Sequence, residues 1–186
     1  MLIILDAETL ATGPNAVILS IAASAFSTER GVESIKFYSK IDLREQESRI
    51  IDPDIVTCWM RRAQEDSHAI DLFDGVREPV SSALKRLSAY VNTYLTLDGE
   101  VWADGFDCAA IRTLYDEFNL AIPWHNAQHR CVRTLRNLVR QLDIKVDVVH
   151  DVSSCRELDE VEWNARFILA AIKSLKQRQL DHCIAI

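Results

Sequence analysis

The sequence predicts an α/β domain in which helices flank a mixed sheet of five to six strands. Three strand-like segments come first, and the connections between them are too short for helical crossovers. Short strand patterns then alternate with helical patterns, which is typical of an α/β domain. Hydrophobic residues make up 48% of the 186 residues, enough to bury a sizeable core. We therefore expect a single domain over residues 1–186.

The first part of the chain has the patterns of strands. Residues 2–8 are apolar and end in acids, and residues 12–15 (Thr-Gly-Pro-Asn) have the composition of a turn. Residues 16–26 form a long apolar run with small side chains, which indicates a second strand. Residues 35–41 alternate well enough to predict a third.

The rest of the chain is mainly helical. Asp52-Pro53-Asp54 combines an N-cap residue with a first-turn proline, so a helix is expected to begin there. Residues 78–95 carry apolar side chains on one helical face. The remaining expected elements are a short strand at 101–103, a helix from Asp107 through Phe118, a strand end leading into a helix at 130–142, and a closing helix at 158–176.

Charge and composition exclude some classes of protein. With 21 basic and 28 acidic residues the formal net charge is −7, which argues against coating nucleic acid through a broad basic surface. It allows an enzyme that grips a chain end, where bound metal ions supply positive charge. Residues 1–5 lack the basic start of a signal peptide, and no apolar run is long enough to span a membrane. The five scattered cysteines lack a CxxC pair and indicate reduced thiols, so we expect the cytoplasm.

Acidic residues at three separated places are candidates for a metal site. Asp6 and Glu8 are two apart in a strand and therefore share a face, where their repulsion is relieved by a cation. Asp107 follows a short strand and a glycine, and Asp159 and Glu160 begin the last helix after His150. Each has an ordinary alternative: solvated acids at a strand end, a helix N-cap, or an exposed histidine.

These groups together fit one chemistry. Three or four carboxylates from separated segments can hold two divalent cations about 4 Å apart, an arrangement suited to in-line attack on a phosphodiester. A histidine such as His150 can accept the proton of the attacking water.

Several motifs resemble one known family. They are Asp6-Ala7-Glu8-Thr9-Leu10 with the strand after it, Asp52 to Trp59, Trp102 to Asp107, Arg130 to Leu135, and Leu158 to Ala165. Together they resemble the DEDDh 3′–5′ exonucleases of the ribonuclease H-like superfamily. The branch they resemble contains phage exonuclease A and an adenylate-preferring mycobacterial exoribonuclease. The resemblance extends over nearly the whole chain and implies a ribonuclease H-like fold.

The resemblance also implies roles for particular residues. Asp6, Glu8 and Asp107 would be metal ligands. Thr9 and Leu10 would lie beside the terminal nucleotide, where their backbone can touch sugar or base.

Two further residues keep two interpretations each. Trp59 would either pack near the site or stack on a base there, or be buried as an ordinary core tryptophan. Arg133 would either contact a phosphate or be an exposed helix arginine.

The last motif departs from the family pattern, in which an aspartate lies five residues after the histidine. Here Cys155 occupies that position. We favour His150 as the base, with additional residues before the helix and Glu160 as the fourth carboxylate. Asp159 is the alternative ligand, and an alignment that places Cys155 at the histidine position is less favoured. The turn from Trp102 to Asp107 is also shorter by two residues than the family's.

The expected function is metal-dependent exonuclease activity. The enzyme would hydrolyse single-stranded RNA or DNA from the 3′ end to nucleoside 5′-monophosphates, with two Mg²⁺ or Mn²⁺ ions as cofactors. Its partner would be the 3′ end of a single strand, with no membrane, and the resemblance points to a homodimer. The alternative is a catalytically weakened nuclease fold that binds nucleic-acid ends or a protein partner.

Overall fold

A five-stranded mixed sheet forms the centre of the computed structural model, which describes residues 1–148 and 157–184. The strands are β1 (Leu2–Thr9), β2 (Ile18–Ser27), β3 (Gly31–Lys40), β4 (Val101–Ala103) and β5 (His129–Cys131). Their order across the sheet is β3-β2-β1-β4-β5. The first three strands pair antiparallel, while β4 and β5 run parallel to β1, so the predicted mixed α/β sheet is confirmed.

Six α-helices surround the sheet in the described part of the chain. They are α1 (Pro53–Glu65), α2 (Ser67–Asp71), α3 (Val80–Tyr94), α4 (Asp107–Glu117), α5 (Val132–Gln141) and α6 (Glu157–Ile184). The predicted cap of α1 is present, because the Asp52 side chain accepts a hydrogen bond from the Asp54 N–H at 2.8 Å. Within the described residues, no helix combines the length and apolar character needed to cross a bilayer.

Three differences from the sequence-based boundaries are larger than two residues or add an element. Strand β3 begins at Gly31 rather than at residue 35, because its polar first residues pair across a tight hairpin with the end of β2. Helix α2 was not predicted, since five residues are too few to show a helical period. Helix α6 continues eight residues beyond the predicted end at residue 176.

Alternation along β1 divides the core between the two faces of the sheet. Ile3 and Leu5 point to the side covered by α3 and α4, whereas Ile4 points to the side covered by α5 and α6. Asp6 and Glu8 continue the stripe of Ile4, so they project on the face where α6 packs.

The strands β1 and β4 end at the same edge of the sheet. Leu5 is paired with Ala103 in parallel register, so the next residues, Asp6 and Asp104, are neighbours where β4 ends and its pairing with β1 stops. Crevices at the carboxyl ends of parallel strands are the usual position of ligand sites in α/β proteins. The fold therefore brings acidic residues together at this edge.

Candidate active site

A small cavity of about 260 Å³ lies at the carboxyl ends of β1 and β4. Its lining includes carboxylates from four different elements or connections of the chain: Asp6, Glu8, Asp104, Asp107 and Glu160. The first two come from β1, Asp107 from the start of α4 and Glu160 from the first turn of α6. The fold thus brings four of the predicted metal ligands to one cavity.

Asp107 does not act as a helix cap, which was the ordinary explanation for an acid at this point. The N-cap position of α4 is occupied by Phe106, and no side chain caps the helix there. Asp107 is the first helical residue and is directed to the cavity instead.

The electrostatics of the cavity favour a bound cation. The pKa of the Asp107 carboxyl is raised to about 8, mainly by burial and also by the nearby charges of Asp104, Glu8 and Glu160, while Arg133 opposes the shift. A carboxyl with such a pKa is in an environment that disfavours additional negative charge. A divalent cation would reverse that preference, because it makes the ionised carboxylates favourable.

The donor chemistry fits Mg²⁺ or Mn²⁺, since every candidate ligand contributes carboxylate oxygen, which both ions prefer. Over residues 1–148 and 157–184, no three His, Cys, Asp or Glu side chains are already gathered tightly enough to enclose an ion. The residues therefore fit the ions in donor type and in meeting at one cavity.

A second and larger cavity, of about 690 Å³, lies along the outer part of α6. Its walls are largely apolar, with Leu169 and Ile172 among them, and Asp147 is its only carboxylate among the described residues. The part of its lining that the structure describes lacks the clustered acids that phosphodiester hydrolysis by metal ions requires. The larger cavity is therefore not the candidate metal site, although it has the greater volume.

The two residues predicted to flank the terminal nucleotide have different environments. Thr9 lines the cavity, and its hydroxyl donates to the Ala11 carbonyl at 2.9 Å. Leu10 is buried, its N–H donates to the Val17 carbonyl, and its own carbonyl accepts from the Asp52 N–H. The Leu10 backbone is therefore already paired within the protein, and Thr9 is the residue exposed to the cavity.

Trp59 supports the site from behind. Its indole is only 7% exposed and donates from Nε1 to the Thr9 carbonyl at 3.0 Å. Phe73 packs edge-on against it, with ring centroids 6.0 Å apart. Of the two interpretations of Trp59, the structure supports packing next to the site, because a buried ring offers no open face to a base.

The rim of the cavity carries Arg133, which forms an ion pair with Asp104 through Nε and Oδ1 at 3.2 Å. Its side chain is 64% exposed, so it is both an exposed helix arginine and a cation at the cavity. Asp104 was not identified from the sequence. The feature that could have identified it is its position immediately after β4, beside Asp6 on the neighbouring parallel strand β1.

Phe106 is another cavity residue that was not identified from the sequence. It lines the cavity yet is 56% exposed, which is uncommon for a large apolar side chain. Aromatic rings exposed beside a nucleic-acid site provide surfaces on which bases stack. In the sequence it appeared only as the neighbour of Asp107.

The remaining predicted residues lie away from the cavity or outside the described chain. Asp159 is exposed and does not line the cavity, whereas its neighbour Glu160 does. His150 and Cys155 both lie outside the described residues.

A buried arginine fixes the loop that forms one wall of the cavity. The Arg49 side chain is fully buried and donates to the Pro14 and Ala16 carbonyls of the loop after β1. It also donates to the Ala110 carbonyl on α4 and forms an ion pair with Glu117. The guanidinium therefore joins the loop to the helix that begins with Asp107, alongside the hydrogen bond from the Thr113 hydroxyl to the Pro14 carbonyl.

Comparison with solved structures supports the fold. Residues covering 98% of this chain superpose on E. coli exonuclease I in complex with a dT13 oligonucleotide, with a TM-score of 0.61 and 12% identity. The match spans 43% of that longer chain. The nuclease domain of 3′hExo, a DEDDh family member bound to rAMP, matches with a TM-score of 0.54 and 11% identity over 92% of each chain. The predicted ribonuclease H-like fold is confirmed.

Sequence comparison identifies the family. No curated protein matches the sequence significantly. The family model for the 3′–5′ exoribonuclease Rv2179c-like domain matches residues 1–170, which is most of the chain and includes every carboxylate of the cavity. The chain therefore belongs to the family of 3′–5′ exoribonuclease Rv2179c-like domains.

Proposed function

We propose that the chain is a metal-dependent exonuclease that removes nucleoside 5′-monophosphates from the 3′ end of single-stranded RNA. The 3′–5′ exonuclease class follows from the family. The metal dependence is carried by one observation, the meeting of Asp6, Glu8, Asp107 and Glu160 at a single small cavity. We propose RNA rather than DNA as the substrate because the family is described as exoribonucleases.

Two Mg²⁺ or Mn²⁺ ions are the proposed cofactors, held by these four carboxylates. When bound, they would lower the pKa of the attacking water and stabilise the departing oxygen. Glu160 is preferred over Asp159 as the fourth ligand, because Glu160 lines the cavity and Asp159 is exposed.

Substrate contacts are proposed for the rim of the cavity. Arg133 carries the positive charge to bind a phosphate, in a planar form that suits phosphate oxygens. Phe106 offers its exposed ring to a base. Thr9 faces the terminal sugar, with Trp59 holding its carbonyl in place. His150 is the proposed base, on the strength of the family resemblance.

The compartment and the assembly are part of the same proposal. The described cysteines, Cys58, Cys108 and Cys131, are free thiols, which agrees with the reducing cytoplasm. A homodimer is proposed from the family resemblance alone, and light scattering of the pure protein tests it.

The test uses pure protein and a 5′-labelled single-stranded RNA with Mg²⁺ or Mn²⁺. We expect successive shortening from the 3′ end, inhibition by EDTA, and loss of activity in Asp6→Ala. No metal-dependent shortening, or equal shortening by the variant, would refute the proposal. A matched DNA strand in parallel measures the preference for RNA.

One observation favours a second candidate, a weakened nuclease that binds RNA ends without turnover. Glu160 occupies the position at which the family pattern has an aspartate, and its longer side chain would hold a metal ion differently. Tight Mn²⁺-dependent binding of the same RNA without shortening would support this candidate. Turnover restored or increased by Glu160→Asp would identify the longer side chain as the cause.

A further inference from the structure

Asp104 is held at the rim of the cavity by two arginines from α5. Arg133 Nε lies 3.2 Å from Asp104 Oδ1, and Arg136 Nη1 lies 3.2 Å from Oδ2. The Gly105 N–H also donates to Oδ1 at 2.8 Å. The carboxylate is therefore neutralised by more than one cation, which is more than its own charge requires.

The two arginines differ in how firmly they are held. Arg136 is 30% exposed, donates to the buried Asn164 side chain, and stacks over the Trp163 ring at 4.7 Å. These contacts fix its guanidinium between α5 and α6.

Arg133, in contrast, is 64% exposed. Within the part of the chain that the structure describes, its guanidinium has Asp104 as its only hydrogen-bond partner. It crosses the surface of Gly105, where an added Cβ would lie 3.0 Å from Nη2. Such exposure leaves the guanidinium room, among the described residues, to turn away from Asp104.

We propose that Asp104 tunes substrate affinity by holding Arg133 in the free enzyme and releasing it to a phosphate of the bound strand. Arg136 stays on Asp104 throughout, so the carboxylate keeps a cation after Arg133 leaves. This inference rests on the proposed function, because it assigns Arg133 to the polyanionic substrate of the same cavity.

The negative charge of the cavity explains why Arg133 needs to be held at the rim in the free enzyme. Arg133 is the only Lys or Arg among the described residues that line the cavity, where five acids surround it. An arginine free to turn inward would pair with Asp107 or Glu8 and compete with metal ions for them. Asp104 keeps the guanidinium at the rim, where it meets a phosphate without occupying the metal ligands.

A double-mutant cycle tests the exchange. The variants are Asp104→Asn, Arg133→Gln and the two combined, each assayed for KM with a 5′-labelled single-stranded RNA and Mn²⁺. We expect Asp104→Asn to lower KM roughly two- to fivefold, because an exposed ion pair no longer competes with the phosphate. Arg133→Gln should raise KM about tenfold or more and reduce the slope of log KM against log salt by about 0.7. In the Arg133→Gln background, Asp104→Asn should leave KM unchanged.

Matched controls separate this exchange from a general change of charge. Asp116→Asn and Arg140→Gln make the same charge changes at exposed positions on α4 and α5, and both should leave KM unchanged. Calorimetric titration with Mn²⁺ should give the same affinity for Asp104→Asn as for the unmodified protein.

Each other outcome overturns the inference. If Asp104→Asn lowers KM equally in the presence and in the absence of Arg133, the variant acts only through the net charge of the cavity. If Asp104→Asn loses Mn²⁺ binding, Asp104 is a metal ligand. If Asp104→Asn does not fold, an unchanged KM and salt slope in Arg133→Gln refutes the exchange. Absence of turnover by the unmodified protein refutes the proposed function, whereas turnover with a failed cycle refutes this inference alone.

Discussion

Replacing the buried Arg49 with methionine should destabilise the domain and weaken its metal site. The guanidinium donates five hydrogen bonds to protein oxygens, three of them to backbone carbonyls and one to the Glu117 carboxylate. At about 1 kcal/mol for each net hydrogen bond, the loss is about 5 kcal/mol. The Glu117 carboxylate is 34% exposed, so water compensates part of the lost ion pair. We therefore expect Arg49→Met to lower the free energy of unfolding by about 3–5 kcal/mol.

Urea unfolding followed by circular dichroism measures this change. The control is Arg140→Met on α5, whose exposed side chain makes one hydrogen bond, to Asn137 at 3.3 Å. That variant should change the free energy of unfolding by less than about 0.5 kcal/mol. If the two variants differ by less than about 1 kcal/mol, the buried network does not have the energetic role that its geometry implies.

Arg49→Met should also affect the site, because the guanidinium joins the loop at Pro14 to the helix that begins with Asp107. Calorimetric titration of the folded variant with Mn²⁺ at low temperature should show weaker binding than the unmodified protein. Arg49→Lys should recover part of the affinity, since it retains the charge but fewer hydrogen bonds. Unchanged Mn²⁺ affinity in a destabilised variant would confine Arg49 to a role in stability.

Three further predictions concern individual side chains. Glu160→Asp should retain metal-dependent activity, whereas Glu160→Ala should reduce kcat by about a hundredfold or more. Initial rates with Mn²⁺ measure both variants. A rate for Glu160→Ala equal to that of the unmodified protein would exclude Glu160 as a ligand. Hydrogen bonds from Arg86 lower the pKa of Glu78 to about 2, so its stabilising contribution is present above about pH 4.5 and is lost as the pH falls towards 2. Urea midpoints from pH 6 to 2 should therefore fall less steeply in Glu78→Gln than in the unmodified protein. Trp59→Phe should lose the hydrogen bond to the Thr9 carbonyl, lowering the free energy of unfolding by about 1 kcal/mol and raising KM for RNA. An unchanged KM would separate Trp59 from substrate binding.

The carboxylates on β1 could be predicted from the sequence because their relation is local. A strand alternates with period two, so Asp6 and Glu8 share a face whatever the rest of the chain does. The helix N-terminal signal at Asp52-Pro53 is local in the same way and was confirmed. Asp107 required more, because its approach to β1 depends on the parallel pairing of β1 with β4.

Contacts between distant segments could not be predicted in this way. Arg49 binds oxygens more than thirty residues away in both directions along the chain, and its own neighbourhood in the sequence has no periodic signal. The interactions of Asp104 similarly depend on arginines of α5, which lies about thirty residues further along the chain. The choice between packing and base stacking for Trp59 also depended on a remote partner, Thr9.

The central claim is that the cavity carboxylates bind divalent cations, and that the enzyme uses these cations to hydrolyse RNA from its 3′ end. The most direct measurement is the time course of a 5′-labelled single-stranded RNA with Mn²⁺, comparing the unmodified protein with Asp107→Asn. Asp107→Asn preserves the shape of the side chain and removes the carboxylate that a bound cation would keep ionised. We expect a ladder shortened one nucleotide at a time by the unmodified protein, and no shortening by a variant with an unchanged circular dichroism spectrum. Equal ladders from both proteins would contradict the claim.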